Sequence, residues 1–194
     1  EVDESGTTDT FTIVLDAEPT EDVVLSVTSG DETEVTVNPG SITFTNEKWD
    51  TPQTITTIGI DDVGIIDGSQ SSDITVAIVQ EASDDNFDSV ADQTVNATTT
   101  DDDVPGFTIV ETDGSTEVDE SGTTDAFTIV LDAQPTSDVV LTITSANTGE
   151  ATVPASVTFT SADWDTPQTV TVTGIDDGTL IDGNQDTNVI VSID

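Results

Sequence analysis

The chain has 194 residues, 41 of them Asp or Glu against a single basic residue, Lys48, for a formal charge of −40. That charge keeps a polypeptide soluble while opposing its compaction, and it excludes nucleic acid and anionic membrane surfaces, whose phosphates need Lys and Arg; the counterparts it admits are cations. Cys, Met, His and Tyr are absent, which removes disulfides, thiolate nucleophiles, zinc sites of the usual kind and imidazole bases, and no apolar run approaches the roughly 20 residues that insertion as a membrane helix requires.

The chain opens with "EVDESGTTDTFTIVLDAEPT" (1–20), in which Phe11, Ile13 and Leu15 alternate with polar or smaller residues. The same period of two returns at Val23, Leu25 and Val27, at Val35 and Val37, at Ile42 and Phe44, and at Ile74, Val76 and Ile78. Strict alternation predicts strands buried on one face. The turn sequences "AEPT", "NPG" and "DG" between them predict an all-β sandwich or barrel. A hydrophobic content of 33%, patterned in this way, argues against the disorder that high charge alone would suggest. Pro105 and Gly106 in "TDDDVPG" (100–106) then punctuate the chain.

After that break the text repeats. "EVDESGTTDAFTIVLDAQPT" (117–136) restates residues 1–20, and "WDTPQT" occurs at both 49–54 and 164–169. The strand pattern returns at Phe127, Ile129 and Leu131; Val139, Leu141 and Ile143; Val157 and Phe159; Val170 and Val172; and Val189, Val191 and Ile193. A period near that of an immunoglobulin domain, roughly 100 residues, gives the fold expectation: two tandem immunoglobulin-like antiparallel β-sandwich domains, 1–103 and 104–194. The second stops at "VIVSID" with no counterpart of residues 80–103, so it lacks its last strand or strands, and the first has no counterpart of "GFTIVETDGST" (106–116). The sequence reads as a window on a longer array, out of register with its domains. Trp49 and Trp164, each beside a proline turn, are expected to pack over a sandwich edge rather than to form a glycan platform.

Most of the acids read as solvated surface, and salt-loving habitats favour such surfaces. Asp61–Asp62, Asp67 and the triplet Asp101–Asp102–Asp103 are different, because they crowd at strand ends, where a sandwich gathers its loops. Adjacent carboxylates repel by about 1 kcal/mol per pair even near water. A shared divalent cation reverses the sign, and calcium, with six to eight oxygen ligands in flexible geometry, suits carboxylates from several loops better than magnesium does.

The order "VDESG", a strand pair, "GSITF", "IGIDD" and "TDDD" resembles a Calx-beta domain, the module of sodium–calcium exchangers. The tandem form with "WDTPQTVTVTGIDD" is similar to Calx-beta-like arrays of very large bacterial surface and secreted proteins. The resemblance spans nearly the whole chain and implies a calcium-ligand set. Its opening acid falls at Glu4 and Glu120, the acid ahead of the "G-x-x-F" strand at Glu34 and Glu150, and the paired acids at Asp61 and Asp62, repeated as Asp176 and Asp177. The following acid falls at Asp67 and Asp182, and the closing triplet at Asp101, Asp102 and Asp103. "VGII" and "GTLI" stand where exchangers carry a further acidic run, which leaves the number of ions per domain open.

Two carboxylates can perform general acid–base chemistry, but that needs a sheltered acid of raised pKa and partners this composition does not supply. The expectation is a non-enzymatic, extracellular or cell-surface segment of adhesin type. It would bind calcium ions, abut neighbouring repeats of the same array and act as a calcium-rigidified spacer. The alternatives are a glycan- or protein-binding module, or a filament subunit completed by strands from other copies.

Overall fold

The structure, a computed structural model, describes residues 1–178 and 183–193. It divides into two units, Glu1–Asp102 and Asp103–Asp194.

The first unit contains β1 (Val2–Asp3), β2 (Thr8–Ile13), β3 (Val23–Ser29), β4 (Val35–Asn38), β5 (Ser41–Phe44), β6 (Gln53–Gly59), β7 (Gln70–Ile78) and β8 (Gln93–Thr100). They form a five-stranded sheet in the order β1-β8-β7-β3-β5 and a three-stranded sheet in the order β2-β6-β4. Every pairing is antiparallel except β1 with β8, where Val2 faces Thr99 and Asp3 faces Thr100. Alternation decides what is inside. Val23, Leu25 and Val27 of β3, Ile42 and Phe44 of β5, Ile55 of β6 and Ile74 and Val76 of β7 make one buried core, while their sequence neighbours face outward. Removing this apolar surface from water is what sets the register, since a one-residue slip would expose the whole set.

The second unit contains β9 (Phe107–Glu111), β10 (Thr124–Leu131), β11 (Val139–Ser145), β12 (Ala151–Thr152), β13 (Ser156–Phe159), β14 (Gln168–Gly174) and β15 (Val189–Ile193). Its sheets run β12-β14-β10-β9 and β13-β11-β15, around a core of Phe127, Ile129, Leu131, Leu141, Ile143, Phe159, Val170 and Val172. Trp164 packs against that core, and its backbone carbonyl accepts from Leu131 N, as that of Trp49 accepts from Leu15 N.

Each unit is thus an all-β sandwich, and each carries one strand that its repeat does not. β9 flanks β10, whereas the corresponding edge of β2 bears no strand among the described residues. Conversely, no described strand of the second unit corresponds to β8. Val118 and Asp119, which align with β1, are accordingly outside any strand.

Candidate metal centre

Four segments of the first unit are drawn to one end of its sandwich. The first is the turn after β1, where the Asp3 carbonyl accepts from Gly6 N and Thr7 N and the Asp3 carboxylate from Ser5 N. Gly6 takes φ +88° there, a left-handed backbone that glycine adopts without a steric penalty. The second is the turn before β4, held by Val35 N donating to Asp31 O and by Asp31 accepting from Thr33 N and Oγ1. The third follows β6, and Ile60 N donates to the Glu34 carbonyl. The fourth leaves β8: Glu4 N donates to Thr100 O, and the Asp101 carboxylate accepts from Gly68 N.

Gly59 is the point where this arrangement allows no side chain. A Cβ there would lie 2.1 Å from the Asp3 carbonyl oxygen, and one at Gly174 would lie 2.1 Å from that of Asp119. The turn after β1 lies directly on the end of β6, so the acid following Asp3 is delivered beside the pair that follows Gly59.

What converges is carboxylate. Glu34, Asp62 and Asp67 each offer one oxygen, all within 4.8 Å of one another. Glu4 is only 1% exposed, and neither of its oxygens has a hydrogen-bond partner; Oε2 of Glu34 is likewise buried and unpartnered. Burial, followed by the charges of Asp62, Asp101, Glu34 and Asp67, pushes the Glu4 carboxyl up to about 7. Burial again, then Asp67, Asp31, Asp62 and Asp101, raises Glu34. A buried polar group without a partner costs roughly 1–3 kcal/mol, and more when charged. A cation supplies the missing partner. The donors are all carboxylate oxygens, a set that fits hard calcium rather than a soft or imidazole-seeking metal.

Asp84, a second buried acid, solves the same problem differently. It accepts from Asn86 N and Nδ2 and from Thr20 N and Oγ1 and Glu21 N, and these hydrogen bonds, Asn86's first among them, hold its carboxyl far below the usual range. Sequence reading left this residue among the surface acids. Its one signal was the Asp-x-Asn spacing of an Asx turn.

The remaining residues named from sequence fall as follows. Asp61 is exposed and accepts from Val63 N, shaping the loop rather than joining the converging oxygens. Asp102 is exposed and Asp101 half-buried, while Asp103 opens the second unit. In that unit Glu120, Asp176 and Asp177 offer oxygens within 4.8 Å of one another. Glu120 is exposed, however, where Glu4 is buried, because no described strand lies over it as β8 lies over Glu4. Glu150 is half-buried and its carbonyl accepts from Ile175 N, repeating Glu34's backbone role. Asp182 lies outside the described residues.

No family model and no curated protein sequence matches the chain. Among solved structures it is similar to the S-layer protein rSbsC(31-844), with 14% identity, a TM-score of 0.38, and coverage of 88% of this chain and 18% of that one. Domains 4 and 5 of S-layer protein SbsC give 16% identity, a TM-score of 0.36, and coverage of 88% and 64%. The E. coli chaperone DraB gives 10% identity, a TM-score of 0.37, and coverage of 91% and 83%. The chain therefore spans less than two thirds of the two S-layer chains.

Proposed function

We propose that the chain is a non-catalytic, calcium-binding pair of β-sandwich modules of Calx-beta type, serving as a spacer segment of an extracellular surface protein. The observation that carries this reading is Glu4, a buried carboxylate with both oxygens unpartnered, facing the charges of Glu34, Asp62 and Asp67. In the metal-free state that arrangement is a local instability; with calcium it becomes a stiffened end of the module. Glu4, Glu34, Asp62 and Asp67 would hold the ion, which supplies charge neutralisation and no chemistry. The chain's charge supports an extracellular setting, where calcium is abundant enough for sites of about 10⁻⁴–10⁻³ M.

Calorimetric titration of the metal-free chain with calcium tests the reading. A saturable phase in that affinity range is expected, weakened at least tenfold in Asp62→Asn and much weaker for magnesium. Heats that do not saturate, or that persist in a Glu4→Gln/Asp62→Asn double variant, would refute it.

A further inference from the structure

The two units carry nearly the same strand in two different environments. β2 and β10 share the sequence Thr-Asp-x-Phe-Thr-Ile-Val-Leu, with Thr10 replaced by Ala126. β10 runs on through Leu131, because β9 pairs along it: Phe107 opposite Leu131, Ile109 opposite Ile129 and Glu111 opposite Phe127. β2 ends at Ile13. Phe127, Ile129, Leu131 and Ala133 are buried, while their counterparts Phe11, Ile13 and Leu15 are only half-buried and Ala17 is exposed. Val14, the counterpart of the half-buried Val130, is 45% exposed.

Beside this uncovered edge lies a cavity of about 710 Å³, walled by Ile13 and Leu15 on one side and by Ile78, Phe87 and Val90 on the other. Leu15 is the counterpart of Leu131, the residue Phe107 faces. The missing pieces are complementary. The first unit has both walls but no strand, and Val90 is left 48% exposed. The second unit has the strand without the further wall, and Ile109 is left 44% exposed.

We infer that the β2 edge of the first unit, with its adjoining cavity, is an acceptor site for an extended peptide strand of β9 chemistry, a Gly-Phe-Thr-Ile-Val-Glu segment supplied by another polypeptide. It pairs antiparallel to β2 with Phe opposite Leu15, Ile opposite Ile13 and Glu opposite Phe11. Main-chain hydrogen bonds to the sheet edge hold it, and the alternate side chains Phe and Ile enter the cavity and choose it. Thr and Val of the segment face outward, as Thr108 and Val110 do on β10. The site shares no residue with the acidic cluster and does not depend on calcium.

The test uses the 194-residue chain and a synthetic peptide of residues 104–115, in about 0.5 M salt, where the Debye length is only about 4 Å and mutual repulsion is screened. Saturable binding is expected, with slowed hydrogen exchange at the β2 edge and at Val14. A peptide bearing Phe107→Asp and Ile109→Asp should bind at least tenfold more weakly. So should the native peptide to a Val14→Pro chain, which blocks the edge without touching the core. Equal binding of a scrambled peptide, or protection confined to β15, would overturn the assignment. Protection that instead appears when the chain alone is concentrated would make a second copy the occupant and overturn the one assigned.

Discussion

Glu4 and Asp84 are the two most buried acids of the first unit, and pH acts on them in opposite directions. The Glu4 carboxyl is raised, by burial first, to about 7. Its folded-state pKa therefore exceeds the unfolded one, so its contribution to stability is fully present below the usual glutamate range and is lost as pH rises through about 7. Metal-free protein should lose thermal stability between pH 5 and pH 8, and Glu4→Gln should be more stable than the parent at pH 8 without calcium. Saturating calcium should abolish that advantage, because the ion favours the ionised carboxylate. Asp84 lies far below its usual value, so its contribution is present above the usual aspartate range and lost only as pH falls beneath it. Asp84→Ala leaves donors from Thr20, Glu21 and Asn86 unmatched, and scanning calorimetry at pH 7 should show the first unit melting several degrees lower with or without calcium.

The β1 crossing over the end of β6 is the element on which the acidic cluster depends. Gly59→Ala forces a methyl group onto the Asp3 carbonyl, and displacing that turn should cost about 2–3 kcal/mol, within the range for overpacking a tight site. Gly174→Ala should do the same in the second unit through Asp119. Each variant should shift one of two calorimetric transitions, and a shift of both by either change would mean that the units do not unfold separately. The core strands were legible in the sequence because inward Val, Ile, Leu and Phe of β3, β5, β7 and β11 alternate with polar residues. β8 was not, because its inward positions are Val95, Ala97 and Thr99 in a run of Thr and Asn, too weak a hydrophobic period to separate from loop. β1 is two residues long and exists by pairing with β8, so no local pattern could announce it. The converging acids were named by position in a resemblance. Their unequal burial, Glu4 inside and Glu120 outside, follows from which strands lie over them, and that is a property of tertiary structure alone.

At the scale of the whole molecule, 41 acids against one lysine create a general repulsion that any salt relieves, together with one local repulsion that screening reaches poorly because Glu4 is buried. Separating the two decides the account. Calcium at a hundredfold excess over its dissociation constant stabilises the state that binds it by about 2.7 kcal/mol, which for a domain of about 100 residues is a rise on the order of 10 °C. The second unit, with Glu120 in solvent, should respond less. The direct measurement is scanning calorimetry at pH 8 in about 0.5 M sodium chloride, comparing calcium with chelator for the parent chain and for Glu4→Gln/Asp62→Asn. The account predicts that calcium raises the first unit's transition on that scale in the parent and leaves the variant nearly unmoved. An equal rise in both chains, or one reproduced by sodium chloride of matched ionic strength, would contradict it.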